Sequence, residues 1–177
     1  SESAEAPVAQ IVVTDEANPE VGDLPTVVLH PKSLIVGMGC NRGTDVAELR
    51  ELLTSTLANA GLAVDSVRAI TTVDAKADEE GLIALADELG AAFTPIARDE
   101  LAAIDVPNPS DHALEAVGTA SVSEASVIAS GATLLVEKQR STNATIAVGR
   151  VPAMGTLAVV GLGPGARDLL TPRARQA

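Results

Sequence analysis

The chain has 177 residues, with 12 Lys and Arg against 24 Asp and Glu and a formal charge of −12. That acidity argues against binding DNA, RNA or an anionic membrane surface, all of which call for a basic face. A single phenylalanine is the only aromatic residue, so the core must be built from Ala, Val, Leu and Ile, and no platform exists for stacking bases.

The length suits one well-cored domain with tails. Cys40 is the only cysteine, which rules out an internal disulfide and fits a reducing compartment. There is no apolar run long enough to span a bilayer and no basic region leading into a hydrophobic one, so the expectation is a cytoplasmic protein. Ser1 in place of an initiator Met points to a piece of a longer chain.

Residues 1–32 read as a linker and the tail of an upstream domain. One strand-like patch lies at 8–14, and residues 16–25 are expected to be mobile. His30, before Pro31, reads as an exposed linker histidine rather than a ligand.

The domain proper is placed at 33–150. Residues 34–43, Leu-Ile-Val-Gly-Met-Gly-Cys-Asn-Arg-Gly, form a buried strand, a tight turn and the opening of a helix. The turn leaves N–H groups aimed where an anion can sit, and Gly37, Gly39 and Gly43 permit close backbone approach or positive φ. Their spacing is neither G-x-G-x-x-G nor a Walker loop, which disfavours a dinucleotide or NTP.

A helix over 44–60 carries Val46, Leu49, Leu53 and Leu57 on one face, with Asp45 and Glu48 in its first turn and Gly61 as its stop. Val67–Val73 is a β-branched strand, 78–89 a helix closed by Gly90, 92–97 a strand and 99–104 a short helix. Residues 106–111, Val-Pro-Asn-Pro-Ser-Asp, must be extended because each proline pushes its predecessor out of the α region. Ser110 caps a helix through Val117, and Ser121 with Glu124 forms a capping box for a helix ending at Gly131. Strands at 133–137 and 144–150 are joined too closely for a crossover, so they pair as an antiparallel hairpin. This order predicts a three-layer α/β/α fold on a mostly parallel five-stranded sheet with one antiparallel strand. Residues 155–177 read as a new strand–turn–helix cut short, which should be disordered or docked on another chain.

Ligands on such sheets bind beyond the carboxyl ends of the strands. Asp74 and Lys76 lie there, as a possible base and a partner for a substrate carboxylate, or simply as turn residues. Cys40, beside Arg42 and a helix N-terminus, is a candidate nucleophile with a lowered pKa, or a small residue fitting a tight turn. Asn108 and Ser110 can hydrogen-bond a ligand from a rigid loop or merely cap a helix. Arg42, Lys76, Lys138 and Arg140 are the candidate basic cluster. One Cys and two scattered His give no metal-ligand set.

The blocks Val36-Gly-Met-Gly-Cys-Asn-Arg-Gly43, Thr71-Thr-Val-Asp-Ala-Lys-Ala-Asp-Glu-Glu80 with Gly81-Leu82, Val106-Pro-Asn-Pro-Ser110, Gly118 with Ser121-Val122 and Glu124, and Lys138 resemble, in order, the C-terminal domain of the cobalamin-biosynthesis CbiG/CobE proteins. The tail Val159-Val-Gly-Leu-Gly-Pro-Gly165 with Asp168-Leu-Leu-Thr-Pro resembles the opening of tetrapyrrole methyltransferases of the precorrin-3B C17-methyltransferase type. Together the resemblances imply a fusion of two steps in corrin assembly, with S-adenosylmethionine serving the parent methyltransferase and no cofactor site complete here. They also imply a precorrin or cobalt-precorrin ligand and other domains of the parent as partners. Its candidate binding residues are then Gly37, Gly39, Cys40, Asn41, Arg42, Gly43, Asp74, Lys76, Asn108, Ser110 and Lys138. Three roles stay open: binding a carboxylate-rich intermediate, opening a lactone with Asp74 orienting water or Cys40 attacking, and structural spacing between enzymes.

Overall fold

The computed structural model describes residues 9–109 and 121–152. The expectations for Ser110, for a helix through Val117 and for the tail at 155–177 lie outside the described residues.

The central strand β3 (Leu34–Cys40) alternates its side chains between two apolar layers. Leu34, Val36 and Met38 face α1 (Val46–Asn59) and α2 (Glu80–Leu89), packing with Leu49, Leu53, Leu57, Leu82 and Leu85. Ile35 faces the opposite side, where α4 (Val122–Ala129) contributes Val127. Each fully buried leucine adds about 1.5–3 kcal/mol, so this aromatic-free core draws its stability from many small increments.

β4 (Val67–Val73) and β5 (Ala92–Ile96) extend the sheet in parallel on one side of β3. On the other side lie β7 (Ala144–Arg150), antiparallel to β3, and β6 (Thr133–Arg140), antiparallel to β7. The order is β5-β4-β3-β7-β6. Only β7 runs against the rest, as the close spacing of the last two strands requires. A short α3 (Arg98–Ala102) packs its Leu101 with Val122 and Ala125 of α4, completing the three layers.

Three local details differ from the sequence reading. First, β6 runs to Arg140, so the hairpin connection is only residues 141–143. Glu48 holds that connection, accepting from the Ser141 hydroxyl at 2.6 Å and from Asn143 N and Nδ2 at 2.8 and 3.0 Å. Second, no capping box forms at α4. The Ser121 hydroxyl is buried with no hydrogen-bond partner among the described residues, and the Glu124 carboxylate points elsewhere.

Third, the segment before β3 is fastened to the domain. β1 (Gln10–Val13) pairs in parallel with β2 (Thr26–Leu29), a strand the sequence reading missed. Asp15 then anchors the arm: it accepts from Arg150 Nε and Nη2 at 2.6 and 2.7 Å and from Ser33 Oγ at 2.8 Å. Residues 16 and 17 join the domain through the Glu16–Leu62 bridge and the bond from Ala17 N to the Gly61 carbonyl. His30 is half-buried, with Nδ1 2.8 Å from the Thr14 carbonyl, rather than free in a linker.

Candidate functional site

The carboxyl ends of β3 and β4 gather the sequence-nominated residues into two groups, each centred on a buried glutamate. The first lies at the glycine turn after β3. Gly43 takes φ +74°, the left-handed region a Cβ disfavours, and its N–H donates to Glu79 Oε1 at 3.0 Å. Asn41 N donates to the Asn143 carbonyl at 2.8 Å, and Asn41 Nδ2 to Asn143 Oδ1 at 3.1 Å. The turn expected to cradle a ligand anion through Gly43 N–H therefore already holds an internal carboxylate there. An incoming anion has cationic side chains beside the turn to meet it.

Those side chains are Arg42 and Lys76, and their pairings differ in kind. Lys76 Nζ lies 3.6 Å from Glu79 Oε2, with the two side chains only 14% and 5% exposed. Removing Lys76 would leave that buried carboxylate only Arg42, whose Nη1 lies 3.9 Å from the other oxygen, a costly change. Arg42 Nη1 lies 3.0 Å from Asp78 Oδ2, but these side chains are 64% and 73% exposed. An exposed pair of this kind contributes about 0–1 kcal/mol, so Arg42 can exchange Asp78 for another carboxylate at little cost. Arg42 Nη2 also donates to the Ala75 carbonyl at 3.3 Å, which keeps the guanidinium beside the end of β4. Asp74 begins the 3-10 turn Asp74–Lys76; it is exposed, and its carboxylate makes no hydrogen bond among the described residues.

The environment of Cys40 opposes the lowered pKa expected of a reactive thiol. Burial pushes the thiol up to about 11; Lys76 pulls it down and Glu79 pushes it further up. At neutral pH only about one thiol in ten thousand is then ionised, the reverse of the expected lowering. Because the chain has one cysteine, ultraviolet titration of the thiolate reads this directly. The expected midpoint is near 11, and it should rise further in Lys76→Met. A midpoint at or below the ordinary 9.0 contradicts the placement.

Gly37 and Gly39 also serve a different purpose from the one expected. A Cβ on Gly37 would lie 1.9 Å from the Ser123 carbonyl oxygen, and one on Gly39 would lie 3.0 Å from Thr145 Oγ1 and 3.3 Å from Val122 Cβ. These glycines admit the first turn of α4 onto the sheet.

The second group is centred on Glu124, which is fully buried. Its carboxylate accepts from Asn108 N at 3.1 Å, Asn108 Nδ2 at 2.8 Å and Lys138 N at 3.0 Å. Burial favours the neutral acid, but hydrogen bonds from the Asn108 side chain and from the Lys138 and Asn108 N–H groups outweigh it, and the carboxyl titrates below its ordinary value. Asn108 Nδ2 also reaches Glu137 Oε2 at 3.0 Å, while Lys138 Nζ donates to the Asn108 carbonyl. Asn108 and Lys138 are thus brought together, but their polar atoms are engaged with each other. No hydrogen bond or ion pair among the described residues links this group to Arg42 and Lys76. Arg140 lies elsewhere, lining a shallow groove of about 420 Å³ between α1 and β6.

Sequence reasoning assigned both glutamates other work. Glu79 sits in an Asp-Glu-Glu run that reads as a solvated helix start, and nothing in the run says which carboxylate turns inward. For Glu124 a signal existed: an asparagine between two prolines must be extended, and its N–H needs an acceptor from outside its own segment.

A sequence model of the family described as cobalamin synthesis G C-terminus matches residues 34–149. The chain belongs to this family. It is 41% identical over 152 residues to a cobalt-precorrin-5A hydrolase of Priestia megaterium, a match taking in 83% of this chain and 41% of the hydrolase. It is 35% identical over 120 residues to protein CobE of a Sinorhizobium species, covering 65% of this chain and 78% of CobE. Among solved structures, CobE of the cobalamin (vitamin B12) biosynthetic pathway superposes with a TM-score of 0.64 at 34% identity, over 70% of this chain and 94% of CobE. The cobalamin biosynthesis protein chiG of Agrobacterium tumefaciens gives 0.50 at 25% identity, over 67% and 98% of the two chains. These neighbours share the mixed α/β architecture, and the family places the chain in cobalamin biosynthesis. The chain spans less than half the length of the hydrolase it matches. Among the described residues no helix is long and apolar enough to cross a membrane.

Proposed function

We propose that this chain binds a carboxylate-bearing corrin precursor of the cobalt-precorrin-5A type at the carboxyl ends of β3 and β4. Arg42 is the exchangeable contact, with Lys76 and the glycine turn beside it. The observation that carries this reading is the contrast between the two cations: the Lys76 side chain is largely buried against Glu79, whereas Arg42 is exposed and its hydrogen-bonded carboxylate, Asp78, is exposed too. The hydrolase relative supports the ligand class by its name. The formal charge of −12 makes long-range attraction of a polyanion poor, so recognition must be local.

The test is a titration of the chain with cobalt-precorrin-5A. Loss of one charged hydrogen bond is worth about 1.5–3 kcal/mol, so Arg42→Ala should weaken binding by about 10- to 100-fold. Unchanged affinity in Arg42→Ala overturns the reading.

Asp74 favours a second reading, lactone opening by this domain itself. An exposed carboxylate with no hydrogen bond among the described residues, at the end of a central strand, can orient a water. In CbiG proteins lactone opening goes together with loss of the C20 fragment as acetaldehyde, so incubation with cobalt-precorrin-5A should release acetaldehyde, and Asp74→Asn should abolish it. Absence of acetaldehyde leaves the binding role. A parent chain continuing into a methyltransferase would bring S-adenosylmethionine chemistry beside this domain; that role belongs to the continuation, not to the residues described here.

A further inference from the structure

Arg42 has two acidic neighbours, and we propose that they act on ligand binding with opposite signs: Glu79 is a positioning residue, and Asp78 is a competitor. The inference rests on the reading of Arg42 as the ligand contact.

Glu79 joins two pieces of the site, the glycine turn and the end of β4, with one side chain. Its Oε1 takes the Gly43 N–H, its Oε2 faces Lys76, and Arg42 Nη1 lies 3.9 Å from Oε1. It is held in place because α2 starts directly beneath the turn. A Cβ on Gly81 would lie 2.5 Å from the Thr44 carbonyl, so only glycine lets that helix come so near. Glu79 is 4% exposed, so a ligand cannot replace it without opening the turn. Asp78 is the reverse: it is exposed, is held by Arg42 at 3.0 Å, and occupies the guanidinium face that a ligand carboxylate needs.

Charge alone treats the two residues alike, since neutralising either makes the site more positive and should tighten binding of an anion. Geometry separates them. Removing Asp78 frees Arg42, whereas altering Glu79 releases the turn and Lys76.

The experiment measures the dissociation constant of cobalt-precorrin-5A for Asp78→Asn, Glu79→Gln, Glu79→Asp and Arg42→Ala, at a temperature where circular dichroism shows each variant folded. Asp78→Asn should tighten binding by about 2- to 5-fold, the value of an exposed ion pair. Glu79→Gln should weaken it by about tenfold although the site gains positive charge. Glu79→Asp keeps the charge but shortens the reach to Gly43 N–H, and should weaken binding as well. Tighter binding in Glu79→Gln, or wild-type affinity in Glu79→Asp, overturns the positioning role while Arg42→Ala still shows the contact. Unchanged affinity in Arg42→Ala instead removes the contact, and the inference with it.

Discussion

Gly37→Ala should cost about 3 kcal/mol or more and lower the thermal midpoint by about 10 °C or more. The added methyl would sit 1.9 Å from the Ser123 carbonyl oxygen and 2.7 Å from the Ser126 hydroxyl. The hydroxyl can rotate away, but the carbonyl belongs to the backbone of α4. Relief requires lifting that helix off β3, which separates Val127 from Ile35, Ala69 and Ala147. The same trough is lined by Gly149, whose Cβ would lie 2.4 Å from Val127 Cγ1, so the helix has nowhere to slide. Gly43→Ala is the control. It carries φ +74° with no atom within 4 Å of the added methyl, so it should cost only the left-handed penalty of about 1–2 kcal/mol. Equal losses in the two variants, read by thermal or denaturant melts, would mean that α4 does not approach β3 so closely.

Glu124→Ala should be destabilising by about 3–5 kcal/mol, because three buried or half-buried donors lose their acceptor together. Asn108 N, Asn108 Nδ2 and Lys138 N all converge on this carboxylate. The extended proline segment on one side and β6 on the other would lose their link. Glu124→Gln supplies a carbonyl to some of those donors but sets an amide against another, so it should fall between wild type and alanine. The pH dependence has a definite sign. The folded carboxyl titrates below its ordinary 4.5, so its contribution is fully present above that value and disappears as the pH falls through the lower, folded one. The stability gap between wild type and Glu124→Gln should therefore be full at pH 6 and narrow in acid. A gap that stays constant into the acid range would contradict the arrangement.

These two residues also mark where the sequence was readable. The apolar run ending in the glycines of 37–43, the helical face of Leu49, Leu53 and Leu57, and the short link before β7 were enough to specify the layers and a mostly parallel sheet with one antiparallel strand. Each rests on periodicity or connection length, which act locally. The packing role of Gly37 and the hydrogen-bond set of Glu124 were not legible because both depend on partners far along the chain. A glycine in a strand before a turn has the same local signature whether a ligand or a helix approaches it. Ser121 with Glu124 has the spacing of a capping box whether or not a more demanding set of donors lies across the sheet. The arm was misread for a related reason: Asp15 has no local distinction, and the contacts that mount β1 and β2 on the domain, Asp15 with Arg150 135 residues away and Glu16 with Leu62, are distant in sequence. At the site, the cations Arg42 and Lys76 were legible as residue types. That one is sequestered and the other exchangeable follows only from the burial of Glu79.

The central claim is that the ligand lies at the ends of β3 and β4. The principal competitor among the described residues is an open groove of about 650 Å³ on the opposite layer, lined by Arg68, Thr94, Ile96, Glu100 and Ser130 among others. The groove has room for a ligand, but among its described lining residues Ala69, Ala92, Ala97 and Ala129 are small and apolar and Arg68 is the only cation. Hydrogen–deuterium exchange of the chain with and without cobalt-precorrin-5A separates the two places. Slower exchange at residues 40–44 and 74–79, with 92–97 and 128–130 unchanged, is the predicted result. Protection confined to 92–97 and 128–130 would put the ligand in the groove and contradict the account.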